Sequence, residues 1–396
     1  MVTKDVINLT EKHVLKTYGR RKVAFEEGKG ISLYDLEGNE YLDFTSGLGV
    51  NALGYAHPVI ENIIKKQATK VIHTSNLYHI QSQAVLAQKI CDSCFGERVF
   101  FCNSGTEAVE GALKFVRKWG KKFEPTKTDI VAFKNSFHGR TLGALSATMQ
   151  EKYQKGFEPL LPGFVEGIFN DTESVDKVVN ENTAAIIVEP LQGEGGINFA
   201  EKNFLHHVES VCREKDILLI VDEVQCGMGR TGKLYAYEHF GIIPDIMTLA
   251  KPLAGGLPIG AVVVGPRVWP EVKPGEHAST FGGNHFVTSV ACGVFDIISK
   301  PEFLKNVAEK GEYLHVLLND IKIKYKEVKE VRGKGLLMGL LVDFPASEAV
   351  DYFEKEHILI CSAGTNVIRF IPPLIVCKED IDRVIDTLKC FLSGRG

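Results

Sequence analysis

Two residues in the sequence stand where their side chains are costly unless they do something. Asp222 closes the apolar run Leu218-Leu219-Ile220-Val221, and Lys251 closes Ile246-Met247-Thr248-Leu249-Ala250 immediately before Pro252. A carboxylate at the end of a buried run needs a cationic partner, and a lysine amine shielded from water is a nucleophile toward carbonyl carbon. Each alone also fits a structural ion pair or an exposed strand end. A third feature is the turn Cys102-Asn103-Ser104-Gly105-Thr106-Glu107-Ala108, which leads from the run Val99-Phe100-Phe101-Cys102 into a helical pattern carrying Glu107 and Glu110 in its first turns. Hydroxyls from Ser104 and Thr106, the close-approach residue Gly105 and the free N–H groups of a helix start suit a phosphate, although the same residues also make an ordinary helix cap.

The elements that must position these groups are short apolar runs separated by helix-length segments. Besides those above they are Asp129-Ile130-Val131-Ala132-Phe133, Ala185-Ile186-Ile187-Val188 and Gly260-Ala261-Val262-Val263-Val264. Runs apolar on both faces imply an α/β fold with a mostly parallel sheet covered by helices, and in such sheets ligands sit at the carboxyl ends of the strands. Asp222 and Lys251 are one αβ unit apart, so both are expected at that edge, together with the phosphate turn. A phosphate site, a buried carboxylate and a lysine at one edge describe pyridoxal phosphate: the lysine takes the aldehyde, the turn holds the phosphate, and the carboxylate keeps the pyridine nitrogen protonated.

Two other patterns carry less. Gly227-Met228-Gly229-Arg230-Thr231-Gly232-Lys233-Leu234 matches G-x-G-x-x-G and nearly matches a P-loop, but Leu234 replaces the magnesium-binding hydroxyl. With Lys251-Pro252 where a ribose-binding acid would stand, the segment reads as a Gly-rich active-site loop. Cys91 and Cys94 form a lone C-x-x-C with no second pair or nearby histidine, so no metal site is expected. The nine cysteines are scattered, as reduced thiols are, and the formal net charge of −4 is spread along the chain, which argues against nucleic acid. No apolar run approaches the roughly 18 residues that span a bilayer. The start, Met1-Val2-Thr3-Lys4, has no signal-peptide pattern, so a cytoplasmic location is expected.

The ends of the chain read differently from its middle. Ile31-Ser32-Leu33-Tyr34-Asp35-Leu36 and Tyr41-Leu42-Asp43-Phe44 alternate around Glu37-Gly38-Asn39, the pattern of a β-hairpin. After Pro301 come a helix, a strand near residues 335–341, another helix, a strand around Val367-Ile368-Arg369-Phe370 and a closing amphipathic helix. The expected organisation is an N-terminal segment with its hairpin (1–55), a large domain (56–299) and a small α+β domain (300–396).

Taken in order, Asn103-Ser104-Gly105-Thr106-Glu107-Ala108, Phe137-His138-Gly139-Arg140-Thr141, Glu189-Pro190-Leu191-Gln192-Gly193-Glu194-Gly195-Gly196, Asp222-Glu223-Val224-Gln225, Lys251 and Ser279-Thr280-Phe281-Gly282-Gly283-Asn284 resemble the class-III (ω-amino-acid) aminotransferases of fold type I. The resemblance runs from about Arg20 to the last helix. It implies that Ser104, Gly105 and Thr106 hold the cofactor phosphate, that Phe137 stacks on the ring, and that Gln225 lies near the ring hydroxyl. It further implies a homodimer in which Thr280 reaches the phosphate bound by the neighbouring subunit. Arg140 would bind the substrate α-carboxylate, with Ser279, Asn76 and Tyr78 also at the substrate. Arg369 would receive 2-oxoglutarate or glutamate, and Glu194 would be the gate that pairs with Arg369 while the ω-amine is bound. Ser75-Asn76-Leu77-Tyr78 and Phe137-His138-Gly139-Arg140 look more like the family's acetylornithine branch than its ornithine or 4-aminobutyrate branches. Tyr55, where the family often has His, and Cys226, where it often has Thr, depart from the pattern.

Overall fold

The computed structural model describes residues 1–395. Its centre is a seven-stranded sheet made of β1 (Arg98–Cys102), β2 (Asp129–Phe133), β3 (Phe164–Gly167), β4 (Thr183–Val188), β5 (Leu218–Asp222), β6 (Ile246–Leu249) and β7 (Gly260–Val264), in the spatial order β1-β7-β6-β5-β4-β2-β3. All neighbours are parallel except that β7 runs against both β6 and β1. The expected doubly covered, mostly parallel sheet is therefore present. β3 was not foreseen, because this edge strand is short and only half-buried and lacks the continuous apolar signal of the others.

Both faces of the sheet are packed, and the strands divide their side chains between them with a period of two. Ile130, Ala132, Ala185, Ile187, Leu218 and Ile220 enter one core. Val131, Phe133, Ile186, Val188, Leu219 and Val221 enter the other. The first core is roofed by α1 (Gly105–Gly120), whose buried stripe includes Ala108, Val109, Ala112, Leu113, Val116 and Trp119. The second is covered by the helix Lys202–Glu214 and by α2 (His285–Ile298), whose start is capped by Asn284 accepting from the N–H groups of Phe286 and Val287.

The terminal segments come together beside this layer. The hairpin strands Ser32–Asp35 and Glu40–Asp43 pair antiparallel, preceded by Phe25–Lys29, and the short strand Ile358–Leu359 from near the other end of the chain adds in parallel beside Leu42 and Asp43. A second four-stranded sheet holds Val328–Lys334, Leu337–Val342, Cys361–Ser362 and Val367–Phe370, backed by the helices Pro301–Lys324 and Lys378–Ser393. Gly335, at a φ of +61°, makes the tight turn between its first two strands.

The Gly-rich segment from Gly227 to Gly232 is not an active-site loop. Its Arg230 is fully buried against the small sheet, donating from Nη1 to the carbonyls of Leu336 (3.1 Å) and Pro372. Its glycines permit close packing: a Cβ on Gly232 would lie 2.9 Å from that of Ala308. Burial lowers the Arg230 guanidinium to about 9, with Asp43 opposing. The repeating glycines that mimic a nucleotide motif serve contact between the two parts of the chain.

Candidate active site

The carboxyl ends of β1, β4, β5 and β6 open into one cavity of about 420 Å³. Asp222, the last residue of β5, is 4% exposed and lies in register with Thr248 of β6. Thr248 Oγ1 donates to Asp222 Oδ1 at 2.9 Å, the Val224 N–H donates to the same oxygen at 3.1 Å, and His138 Nδ1 donates to Oδ2 at 2.7 Å. Three donors from three directions fix the carboxylate plane. The His138 ring is wholly buried. Burial disfavours its charge, but the Asp222 hydrogen bond and charge outweigh that and raise its pKa.

Lys251 follows β6 at the start of a one-turn 3-10 helix with Pro252 next, and its backbone is left-handed, at φ +31°. A non-glycine residue held there is strained, and the strain is maintained by the packed turn around it. Its amine makes no salt bridge among the described residues. Burial lowers its pKa, Glu194 opposes and Arg369 adds to the lowering, so the amine loses its proton more readily than an exposed lysine.

Across the cavity, Ser104 caps α1 by accepting from the Glu107 N–H at 3.3 Å. The first-turn N–H groups of Gly105 and Thr106 stand at the positive end of that helix and line the cavity. A Cβ on Gly105 would lie 2.7 Å from Val224 Cγ1, so only glycine lets this turn approach the strand end carrying Asp222. Phe137, whose ring faces Tyr153, is fixed by its N–H donating to Glu189 Oε2 at 2.9 Å. Burial pushes the Glu189 carboxyl up to about 7, with Asp222 adding to the rise and His138 opposing it.

The third wall comes from the small sheet. Arg369, 2% exposed, donates from Nη1 to Glu194 Oε1 at 2.7 Å and from Nε to Cys361 Sγ at 3.2 Å. Burial would raise the Glu194 carboxyl, but Arg369 overcomes it and lowers the pKa, with Lys251 contributing. Gln225 Oε1 accepts from Arg369 at 3.4 Å, and its Nε2 is buried without a partner. Arg140 is exposed at the rim, its guanidinium 4.0 Å from the Tyr153 ring centroid and 5.3 Å from that of Phe137.

A shielded amine, an oriented carboxylate, a helix start and a carboxylate-sized cation in one pocket are the working parts of an enzyme that handles amines. Residues 16–392 match the family model for Aminotransferase class-III. The chain belongs to the class-III aminotransferases. It is 48% identical to an acetylornithine aminotransferase of Caldanaerobacter subterraneus subsp. tengcongensis, over 98% of this chain and 99% of that protein. Among solved structures, the ornithine aminotransferase of Toxoplasma gondii, described with partial occupancy of PLP at its active site, superposes with a TM-score of 0.95 at 31% identity, covering 99% of this chain and 94% of that one. The N-acetylornithine aminotransferase of Stenotrophomonas maltophilia superposes at 0.85 with 33% identity and 98% coverage of both chains.

Class-III aminotransferases depend on pyridoxal phosphate as a family. In this class-III chain, Lys251, Asp222, Glu194, Ser104, Gly105, Thr106, Phe137, Gln225 and Arg140 line the one cavity, and Arg369 closes it through Glu194. The remaining expected site residues do not line it. Ser279 Oγ accepts from Asn103 Nδ2 at 3.1 Å, which places it just behind the turn that starts α1. Asn76 donates to the carbonyls of Ser279 (3.1 Å) and Gly282 (2.9 Å), so it shapes the 279–282 loop. Thr280 and Tyr78 are exposed on that same face. His138, Thr248 and Glu189 are not assigned a role by the sequence alone. Their only signal there is a place inside, or one strand away from, the motifs that carry the resemblance.

Proposed function

We propose that this aminotransferase uses pyridoxal phosphate to move the ω-amino group of N2-acetylornithine to 2-oxoglutarate, giving N-acetylglutamate 5-semialdehyde and glutamate, a step of arginine biosynthesis. The succinylated diaminopimelate analogue, with an ω-amine at similar reach from a carboxylate, is a second substrate of the same site. The observation that carries the reading is that Asp222, Lys251, the start of α1 and the Glu194–Arg369 pair meet in one cavity. The names of the relatives support the choice of donor.

The residues fit the cofactor. Among the described residues, Gln225 Nε2 is a buried donor lacking an acceptor, the Gly105 and Thr106 amides face the cavity, and the Lys251 amine makes no salt bridge or side-chain hydrogen bond. A phosphorylated pyridine aldehyde with a ring hydroxyl meets all three: phosphate at the amides, hydroxyl at Gln225, aldehyde at Lys251. Asp222 takes the ring nitrogen and Phe137 one ring face. When bound, pyridoxal phosphate supplies an electron sink for charge developing on the substrate's amino-bearing carbon.

The protein supplies the rest. Lys251 Nζ, its basicity reduced by burial, removes and returns the proton at that carbon. Arg140 takes the donor's α-carboxylate, while Arg369 stays neutralised by Glu194 so that an uncharged chain passes it. With 2-oxoglutarate, Glu194 yields and Arg369 receives a carboxylate through two hydrogen bonds.

A homodimer completes the site. Leu77, Tyr78 and Phe281 are 87%, 69% and 61% exposed around the loop that Asn76 ties down, an apolar face suited to a second copy. Thr280 on that face would then reach the partner's phosphate. The test is the donor half-reaction measured by the visible absorbance of the bound cofactor, with acetylornithine and free ornithine compared. Faster conversion by acetylornithine supports the proposal, and preference for free ornithine moves the enzyme to the ornithine branch.

A further inference from the structure

The loop that carries Arg140 is held by a chain of side chains that reaches back into α1. Glu110, in the second turn of the helix, accepts at Oε1 from the Thr141 hydroxyl and from the Ala144 N–H at 3.1 Å. Thr141 Oγ1 in turn lies 2.9 Å from Thr106 Oγ1. The Thr106 hydroxyl oxygen also accepts from the N–H groups of Arg140 (3.2 Å) and Thr141 (3.3 Å).

Hydrogen direction follows from what each group can offer. A carboxylate only accepts, so the Thr141 hydroxyl hydrogen goes to Glu110. The hydrogen between the two threonines then has to come from Thr106. A hydroxyl has one hydrogen and two lone pairs, and at Thr106 the hydrogen is given to Thr141 and both lone pairs are taken by loop amides. It has nothing left for a phosphate.

Two glycines show how tightly the loop is seated. A Cβ on Gly139, whose φ is +141°, would fall 2.2 Å from Thr106 Oγ1, and one on Gly143 would fall 2.3 Å from Glu110 Oε2. Both positions bracket Arg140 and Thr141, and both press on the two residues of the chain.

We propose that Glu110 is a positioning residue: through the Thr141 and Thr106 hydroxyls it fixes the loop bearing Arg140, and Thr106 meets the cofactor phosphate with its backbone N–H alone. The end of the site that binds phosphate and the arginine that reads the donor carboxylate are thereby joined. This rests on the role proposed above for Arg140.

The experiment compares Thr106→Val, Glu110→Ala, Glu110→Gln and Arg140→Ala in the full-length holoenzyme, and measures amide hydrogen exchange across residues 139–144 in the cofactor-free protein. Thr106→Val and Glu110→Ala should each raise KM for the amino donor about tenfold, the equivalent of one lost hydrogen bond. In Glu110→Ala the 2-oxoglutarate half-reaction should stay within about twofold, and in both variants so should the dissociation constant for pyridoxal phosphate. Both variants should speed exchange of the 139–144 amides, and Glu110→Gln, which keeps the accepting oxygen, should restore slow exchange and normal KM. Loss of cofactor affinity in Thr106→Val would make its hydroxyl a phosphate ligand and overturn the proposal. Equal damage to both half-reactions in Glu110→Ala, or unchanged exchange, would do the same. If Arg140→Ala spares the donor half-reaction, the functional reading of Arg140 is what fails, and the exchange result still decides on the brace.

Discussion

The two arginines at this site are presented in opposite ways. Arg140 stands at the exposed rim, stacked on Tyr153 and flanked by Phe137, and forms no salt bridge among the described residues. Arg369 is buried on a strand of the small sheet and neutralised by Glu194 at 2.7 Å. An exposed guanidinium keeps its hydration and an aromatic shelf, so it needs no counter-ion and a carboxylate can reach it without displacing one. A buried one without a counter-ion would be prohibitively costly, so it carries its own. On the proposed roles, selectivity between two substrates of different charge would reside in the buried arginine, because only there would binding require displacing a charge already in place.

Both arginines should serve one reacting centre. Lys251→Ala should lower both half-reactions together by more than about 10³-fold, the scale of a lost acid–base group, in a protein that remains folded; single-turnover rates in each direction check this, and survival of either direction breaks the shared centre. The next largest effect separates the arginines. Arg369→Ala should weaken 2-oxoglutarate use about 10²-fold while sparing the donor half, on the scale of a lost charge-assisted pair, and Arg140→Ala should do the reverse; steady-state kcat/KM with each substrate reads the split.

Glu194→Gln removes the internal counter-charge and makes Arg369 resemble Arg140. KM for 2-oxoglutarate should fall by about tenfold, with dicarboxylate amines gaining as donors relative to acetylornithine. A variant with unchanged preference would show that Glu194 is a fixed salt bridge and not a gate.

The smallest effect concerns stability. Glu189 is held near 7 in the folded chain, above the ordinary carboxyl value of 4.5, so between those values the folded state binds more protons than the unfolded one. Its contribution is full below the unfolded value and is lost as pH rises through about 7. Cofactor-free wild type should lose up to about 3 kcal/mol relative to Glu189→Gln between pH 5 and pH 8, as the difference in thermal unfolding reports. Glutamine still accepts the Phe137 N–H, so the two curves should otherwise run parallel.

Most of the large sheet was legible because its strands are buried on both faces and leave unbroken apolar runs, and Asp222 and Lys251 were legible because each interrupts such a run at its end. The Phe164–Gly167 edge strand and the Val328–Lys334 strand were not, since half-exposed strands carry no such signal. His138 and Thr248 escaped for a different reason. What makes them matter is contact with Asp222 across strands and loops, and nothing in their own neighbourhood of sequence records it. The glycines from Gly227 to Gly232 show the converse, a pattern that resembles a phosphate loop and is used for packing.

The one reversed strand, β7, sets a length. The chain leaves Lys251, turns, and re-enters the sheet at Gly260, where a side chain is forbidden because a Cβ would lie 2.2 Å from the Ser104 carbonyl oxygen. With the cofactor held as proposed, the amine and the turn at the start of α1 would be two jaws of a caliper joined by packed backbone. A molecule gripped at both ends would have to match that span, and a pyridine aldehyde with a longer or shorter phosphate arm would meet one jaw and miss the other.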